Sequence, residues 1–99
     1  MALTKNALLK LKKIHNLSSF VNSGNHRKKL LHLAKQHIIE IEYLYEKKDP
    51  HADIETGDLA VLCFEIILES NKNPDQVLEK CFLRYEKKLS ELARQLKVQ

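Results

Sequence analysis

Punctuation is what this chain lacks. Two glycines and two prolines are all that its 99 residues contain, and nowhere does strand-like alternation run between turn signals. Apolar residues return instead at steps of three and four, the spacing that keeps them on one face of an α-helix. Gly24, Pro50 and Pro74 fall in short polar segments, at Asn22-Ser23-Gly24-Asn25, Asp49-Pro50 and Asn73-Pro74. These segments divide the chain into four helical stretches and predict an all-α fold, a four-helix bundle in one domain spanning 1–99.

The first stretch, with Leu8, Leu11, Ile14 and Leu17, is a basic N-terminal helix over residues 4–17 that should stop at Ser18-Ser19. A second helix runs from near His26 to about Lys48 on Leu30, Leu31, Ala34, Ile38 and Ile41. Asp49 as N-cap with Pro50 at the first helical position predicts a third helix reaching about Ser70. Asn73-Pro74-Asp75-Gln76 repeats the device, with Gln76 in capping-box position. The fourth helix then carries the stripe Val77, Leu78, Cys81, Phe82, Tyr85, Leu89 and Leu92. The third is apolar nearly all round between Leu59 and Leu68, so it should be buried on most sides. A domain this small buries only roughly 60–65% of its unfolded surface. The expectation is therefore a bundle completed by oligomerisation, as a homodimer or homotetramer.

Composition excludes whole classes. With 43% hydrophobic and 30% charged residues the chain is neither disordered nor a membrane protein. Apolar runs fall short of the roughly 18–20 residues of a bilayer span, and Lys10 breaks up the one segment that resembles a secretory signal. Cys63 and Cys81 sit in apolar helical patterns and read as buried thiols of a cytoplasmic protein, an inter-helix disulfide being the alternative.

Net charge is +4, but unevenly laid out. Residues 1–39 hold eight Lys/Arg and no acid, whereas residues 40–70 hold nine acids against Lys47 and Lys48. A nucleic-acid binder needs only the basic part, so the acidic middle asks for its own explanation. Glu55, Asp58, Leu62 and Glu65 share one helical face, and Glu65 lies between Phe64 and Ile66 in the most apolar segment. A carboxylate there costs several kcal/mol (about 2–7 even for a neutral polar group) unless paired, coordinated or protonated. On the second helix His37 and Glu40 are one turn apart among isoleucines. If the two helices pack antiparallel, these groups face one another and offer oxygen ligands to a hard divalent cation such as magnesium. Against that stands the plain alternative, a solvated acidic face.

The order of these elements resembles the all-α nucleoside triphosphate pyrophosphohydrolases, the MazG-like and phosphoribosyl-ATP pyrophosphohydrolase group. That family carries Glu-x-x-Glu on one helix and Glu-x-x-Asp at the start of the next. Here the second motif stands as Glu55-Thr56-Gly57-Asp58-Leu59, Asn73-Pro74-Asp75-Gln76-Val77-Leu78 resembles the turn into the last helix, and Arg84-Tyr85-Glu86-Lys87-Lys88 resembles a phosphate-binding segment. The resemblance covers about residues 28–92. It implies metal ligands at His37, Glu40, Glu55 and Asp58, with Glu65 replacing a polar position seven residues after the Asp. It also implies Glu40 as a catalytic group acting on water, and phosphate contacts from Arg84, Lys87 and Lys88. The implied reaction is cleavage of a nucleoside triphosphate to monophosphate and pyrophosphate with Mg²⁺. The first motif is degenerate: His37-Ile38-Ile39-Glu40 stands where Glu-x-x-Glu is expected, and imidazole suits Mn²⁺ better than Mg²⁺.

Two readings stay open. One is a metal-dependent nucleotide pyrophosphohydrolase, or an impaired member that still binds a nucleotide or other phosphate compound. The other is a non-catalytic helical interaction module whose basic third, with Lys10, Lys12, Lys13, Arg27, Lys28 and Lys29, binds nucleic acid or an acidic partner. Of the aromatics only Phe20 lies there, which disfavours base stacking.

Overall fold

A computed structural model describes residues 1–98, and these form four α-helices: α1 (Lys5–Val21), α2 (His26–Glu46), α3 (Ala52–Glu69) and α4 (Pro74–Val98). No strand occurs among the described residues.

The helix starts follow capping chemistry. Thr4 Oγ1 accepts the Ala7 N–H at 3.1 Å and Asn25 Oδ1 the Lys28 N–H at 3.2 Å. Asn73 Oδ1 accepts the Asp75 N–H at 2.9 Å, and α4 begins at Pro74. Asp49-Pro50 behaves differently from the expectation. The Asp49 carboxylate accepts the His51 N–H at 2.9 Å and its carbonyl the Ala52 N–H at 3.1 Å, so the pair forms a turn before α3 instead of its first residues. α1 also outlasts the expected stop at Ser18-Ser19. The two hydroxyls do not compete for the helix backbone but lie within hydrogen-bond distance of the His26 ring, 2.9 Å to Nε2 and 3.2 Å to Nδ1.

α2 and α3 end alike. Lys48 (φ 56°) and Asn71 (φ 58°) adopt the left-handed conformation one residue beyond each C-cap. Asp49 N–H reaches Leu44 O at 2.9 Å and Lys72 N–H reaches Ile67 O at 3.2 Å, the long bond of a Schellman motif.

α3 is the central element, packing against α2, α1 and α4. Its partnership with α2 is an antiparallel hairpin, as side-chain contacts from His26 to Glu69, His37 to Glu55 and Tyr45 to Asp53 run in opposite chain directions. The core is Leu11, Leu30, Ala52 and Leu62, with Leu30 fully enclosed. On α3 itself Leu59, Val61, Phe64, Ile66, Ile67 and Leu68 are half-buried, so the chain covers that helix only in part. Cys63 is exposed and Cys81 half-buried, both as free thiols, which corrects the expectation of two buried cysteines. Helical rotation explains Cys63: it follows the buried Leu62 by about 100° and so points away from the core.

α4 attaches only by its beginning. Pro74 is buried and Val77, Leu78 and Cys81 are half-buried, whereas every residue from Phe82 to Lys97 is exposed. The amino-terminal segment clips these first turns: Leu3 N–H donates to Asp75 Oδ1 at 2.6 Å, and the Met1 amine contacts Glu79 at 2.6 Å. The helix then extends away, giving a long dimension of 53 Å. Among the described residues, no helix is long and apolar enough to cross a membrane.

Candidate metal centre

The α2–α3 hairpin brings His37, Glu55 and Asp58 together, with one ligand atom of each within 4.8 Å of the others. Glu55 and Asp58 are one turn apart near the start of α3, and antiparallel packing places His37 of α2 against that turn. Glu55 is the middle of the group. Its Oε2 lies 3.3 Å from His37 Nε2, and its Oε1 lies 3.1 Å from Nε2 of His51, which precedes α3. The Glu55 side chain is largely covered, His37 is half-buried, and Asp58 and His51 reach solvent. The site is therefore a shallow one, open on the Asp58 side.

The His37 ring is oriented by the backbone. Its Nδ1 lies 3.0 Å from Leu33 O, a pure acceptor, so Nδ1 carries a proton. In a neutral ring Nε2 is then a bare lone pair aimed at a carboxylate oxygen, which repels it. Two things remove that repulsion: a second proton on the ring, or a cation between the two groups. A ring N–H on a backbone carbonyl with the opposite nitrogen facing other ligands is the usual arrangement of a metal-bound histidine. The donor set is one imidazole, or two counting His51, with two carboxylates. That set suits Mn²⁺ and other borderline ions better than Mg²⁺, which prefers oxygen alone.

Other residues singled out in the sequence do not join this group. Glu40 is exposed on α2; three residues of helix turn about 300°, which carries it roughly 60° off the direction of His37 and toward solvent. Glu65 follows Asp58 by seven residues, about 10 Å along the helix axis. It is buried, only 4% exposed, and its Oε1 has no hydrogen-bond partner among the described residues. Arg84, Lys87 and Lys88 lie on the exposed part of α4 and pair with no acid among the described residues. Arg84 instead sits 6.0 Å from the centre of the Tyr85 ring. Gly57, between Glu55 and Asp58, faces open space, because a Cβ there would meet nothing within 4 Å.

Sequence reasoning missed His51, whose part depends on the turn made by Asp49-Pro50. The i to i+4 spacing from His51 to Glu55 was the available signal. Comparison of the chain with family models, with curated proteins and with solved structures returns no match.

Proposed function

We propose that the chain is a metal-dependent protein of the nucleotide pyrophosphohydrolase type, acting on or binding a nucleoside triphosphate. The observation that carries this reading is the convergence of His37, Glu55 and Asp58 across the hairpin, with His37 Nε2 turned toward Glu55 by the Leu33 carbonyl. His37, Glu55 and Asp58 hold the ion, with Mn²⁺ preferred over Mg²⁺. Such an ion supplies neutralisation of phosphate oxygens. The missing Cβ at Gly57 leaves the approach clear for a phosphate chain.

The phosphate-contacting cations come from a second copy. Phe82, Tyr85, Leu89, Leu92 and Leu96 repeat at steps of three and four along the exposed part of α4, each at least 46% exposed. Such a seam is covered when a like helix packs against it, and pairing through it brings Arg84, Lys87 and Lys88 of α4 beside another protomer. The working form is a homodimer or a higher oligomer.

Pyrophosphate release from a panel of nucleoside triphosphates, with Mn²⁺ or Mg²⁺, tests the reading. Expected is release that is faster with Mn²⁺ and lost in Glu55→Gln. No release with any nucleotide, together with no thermal shift from ion plus nucleotide, contradicts the function. Full activity in Glu55→Gln contradicts the site.

The second reading, an interaction module, keeps one observation in its favour. Lys10, Lys12, Lys13 and Lys28 are exposed and in no ion pair among the described residues. Under that reading duplex DNA or RNA binds, and binding weakens steeply between about 50 and 200 mM salt. Absent or salt-insensitive binding removes it.

A further inference from the structure

A second cluster lies where α1, α2 and α3 meet. Glu69, at the end of α3, places Oε2 2.7 Å from His26 Nδ1 and 3.3 Å from His15 Nε2. The three ligand atoms all lie within 4.8 Å of one another, and the two imidazole rings are 5.3 Å apart between centres, tilted by 36°. His26 is 6% exposed and the His15 side chain 16%. Two imidazoles and a carboxylate from three different helices therefore share one small, mostly dry volume.

We propose that His15 Nε2, His26 Nδ1 and Glu69 Oε2 bind one divalent transition-metal ion of the zinc class. A tetrahedral shell with bonds of about 2.0–2.1 Å has ligand-to-ligand edges of roughly 3.3–3.4 Å. The His15–Glu69 edge, 3.3 Å, already has that length, and the His26–Glu69 edge, 2.7 Å, opens by about 0.6 Å. The outer nitrogen of His26, Nε2, is 2.9 Å from Ser18 Oγ, so its N–H has an acceptor that fixes the ring, while Nδ1, also 3.2 Å from Ser19 Oγ, exchanges that hydroxyl for the ion. His15 Nδ1 has no such acceptor among the described residues.

Two protein imidazoles and one carboxylate make a three-ligand set, leaving a fourth position for water or an anion. His26 and Glu69 also line a cleft of about 580 Å³ together with Arg27 and Lys28.

The site also answers a weakness of the fold. α1 contributes only Leu11 to the buried core, and small domains commonly gain from a metal staple. An ion held by His15 ties α1 to both helices of the hairpin, so binding stabilises the folded chain.

The full chain, freed of metal with chelator, is titrated with Zn²⁺ while the imidazole nitrogens are followed by long-range ¹H–¹⁵N NMR and thermal melts are recorded. Expected are shifts at His15 Nε2 and His26 Nδ1, with a rise in Tm. Co²⁺ should give the intense visible absorption of a four-coordinate ion. Ser18→Ala should weaken Zn²⁺ by about 10–100-fold, the usual loss for an outer partner, and Glu69→Gln by more than that. Glu55→Gln should leave the His15 and His26 shifts unchanged, which separates this site from the hairpin centre. Unmoved His15 and His26 nitrogens at excess Zn²⁺ overturn the proposal and leave a hydrogen-bonded knot of three side chains. A folded Glu69→Gln chain that keeps the wild-type affinity also overturns it. If Glu69→Gln fails to fold, the wild-type nitrogen shifts decide.

Discussion

α4 carries the more regular apolar stripe, yet it is the α2–α3 hairpin whose apolar residues the chain covers. In the hairpin Leu30 and Leu62 are enclosed by the chain itself. In α4 the stripe leaves contact after Cys81, and Leu83 and Leu96 are more than 70% exposed. Periodicity states which face of a helix is apolar and is silent on what covers it. The hairpin closes because a short turn at Asp49-Pro50 returns α3 against α2. The turn at Asn73-Pro74 directs α4 away after its first turns, which pack against α3 and are clipped by Leu3 and Met1.

The sharpest way to break that contrast is to replace one leucine in each region. Leu30→Ala should cost about 2–5 kcal/mol, the range for an enclosed leucine, read as a lowered midpoint in urea. Leu89→Glu should leave the folding of the monomer within about 0.5 kcal/mol of wild type, while analytical ultracentrifugation shows the oligomer dissociating. A monomeric wild type would contradict pairing through α4, and a Leu89→Glu chain as destabilised as Leu30→Ala would show that α4 folds back in solution.

Glu65 sharpens the description of the hairpin interior. Its buried oxygen, unpartnered among the described residues, should make Glu65→Met more stable by about 1–3 kcal/mol, read as a raised midpoint in urea. A loss of stability instead would mean that the carboxylate has a partner in the assembled protein.

A smaller effect belongs to Gly57 on the hairpin's outer side. With open space around it, Gly57→Ala should gain about 0.5–1 kcal/mol of helix stability. A drop in nucleotide affinity alongside that gain would show that the gap serves the ligand. A drop in stability would mean that another copy packs there. The smallest change is expected at exposed His51, where loss of a surface contact to Glu55 should shift stability by less than about 0.5 kcal/mol.

Much of the fold was legible because local rules decide it. The four helices, the loop at Asn22 to Asn25 and the cap at Asn73 depend on neighbours three or four residues away. The hairpin centre was partly legible: Glu55 and Asp58 by their one-turn spacing, His37 by antiparallel packing. Glu40 was not, since a 60° difference in direction around α2 decides whether a side chain faces α3 or water. Ser18 and Ser19 ended the expected first helix because their partner, His26, lies across a loop. The cluster at Glu69 was hidden for the same reason, since His26 is 43 residues away in sequence.

The hairpin centre is tested most directly by Mn²⁺ titration of the full chain, with free ion counted by electron paramagnetic resonance. If His37, Glu55 and Asp58 hold the cation within one protomer, wild type and Leu89→Glu bind Mn²⁺ alike, and Glu55→Gln loses that binding while Glu69→Gln keeps it. Mn²⁺ bound equally by wild type and Glu55→Gln would contradict the site.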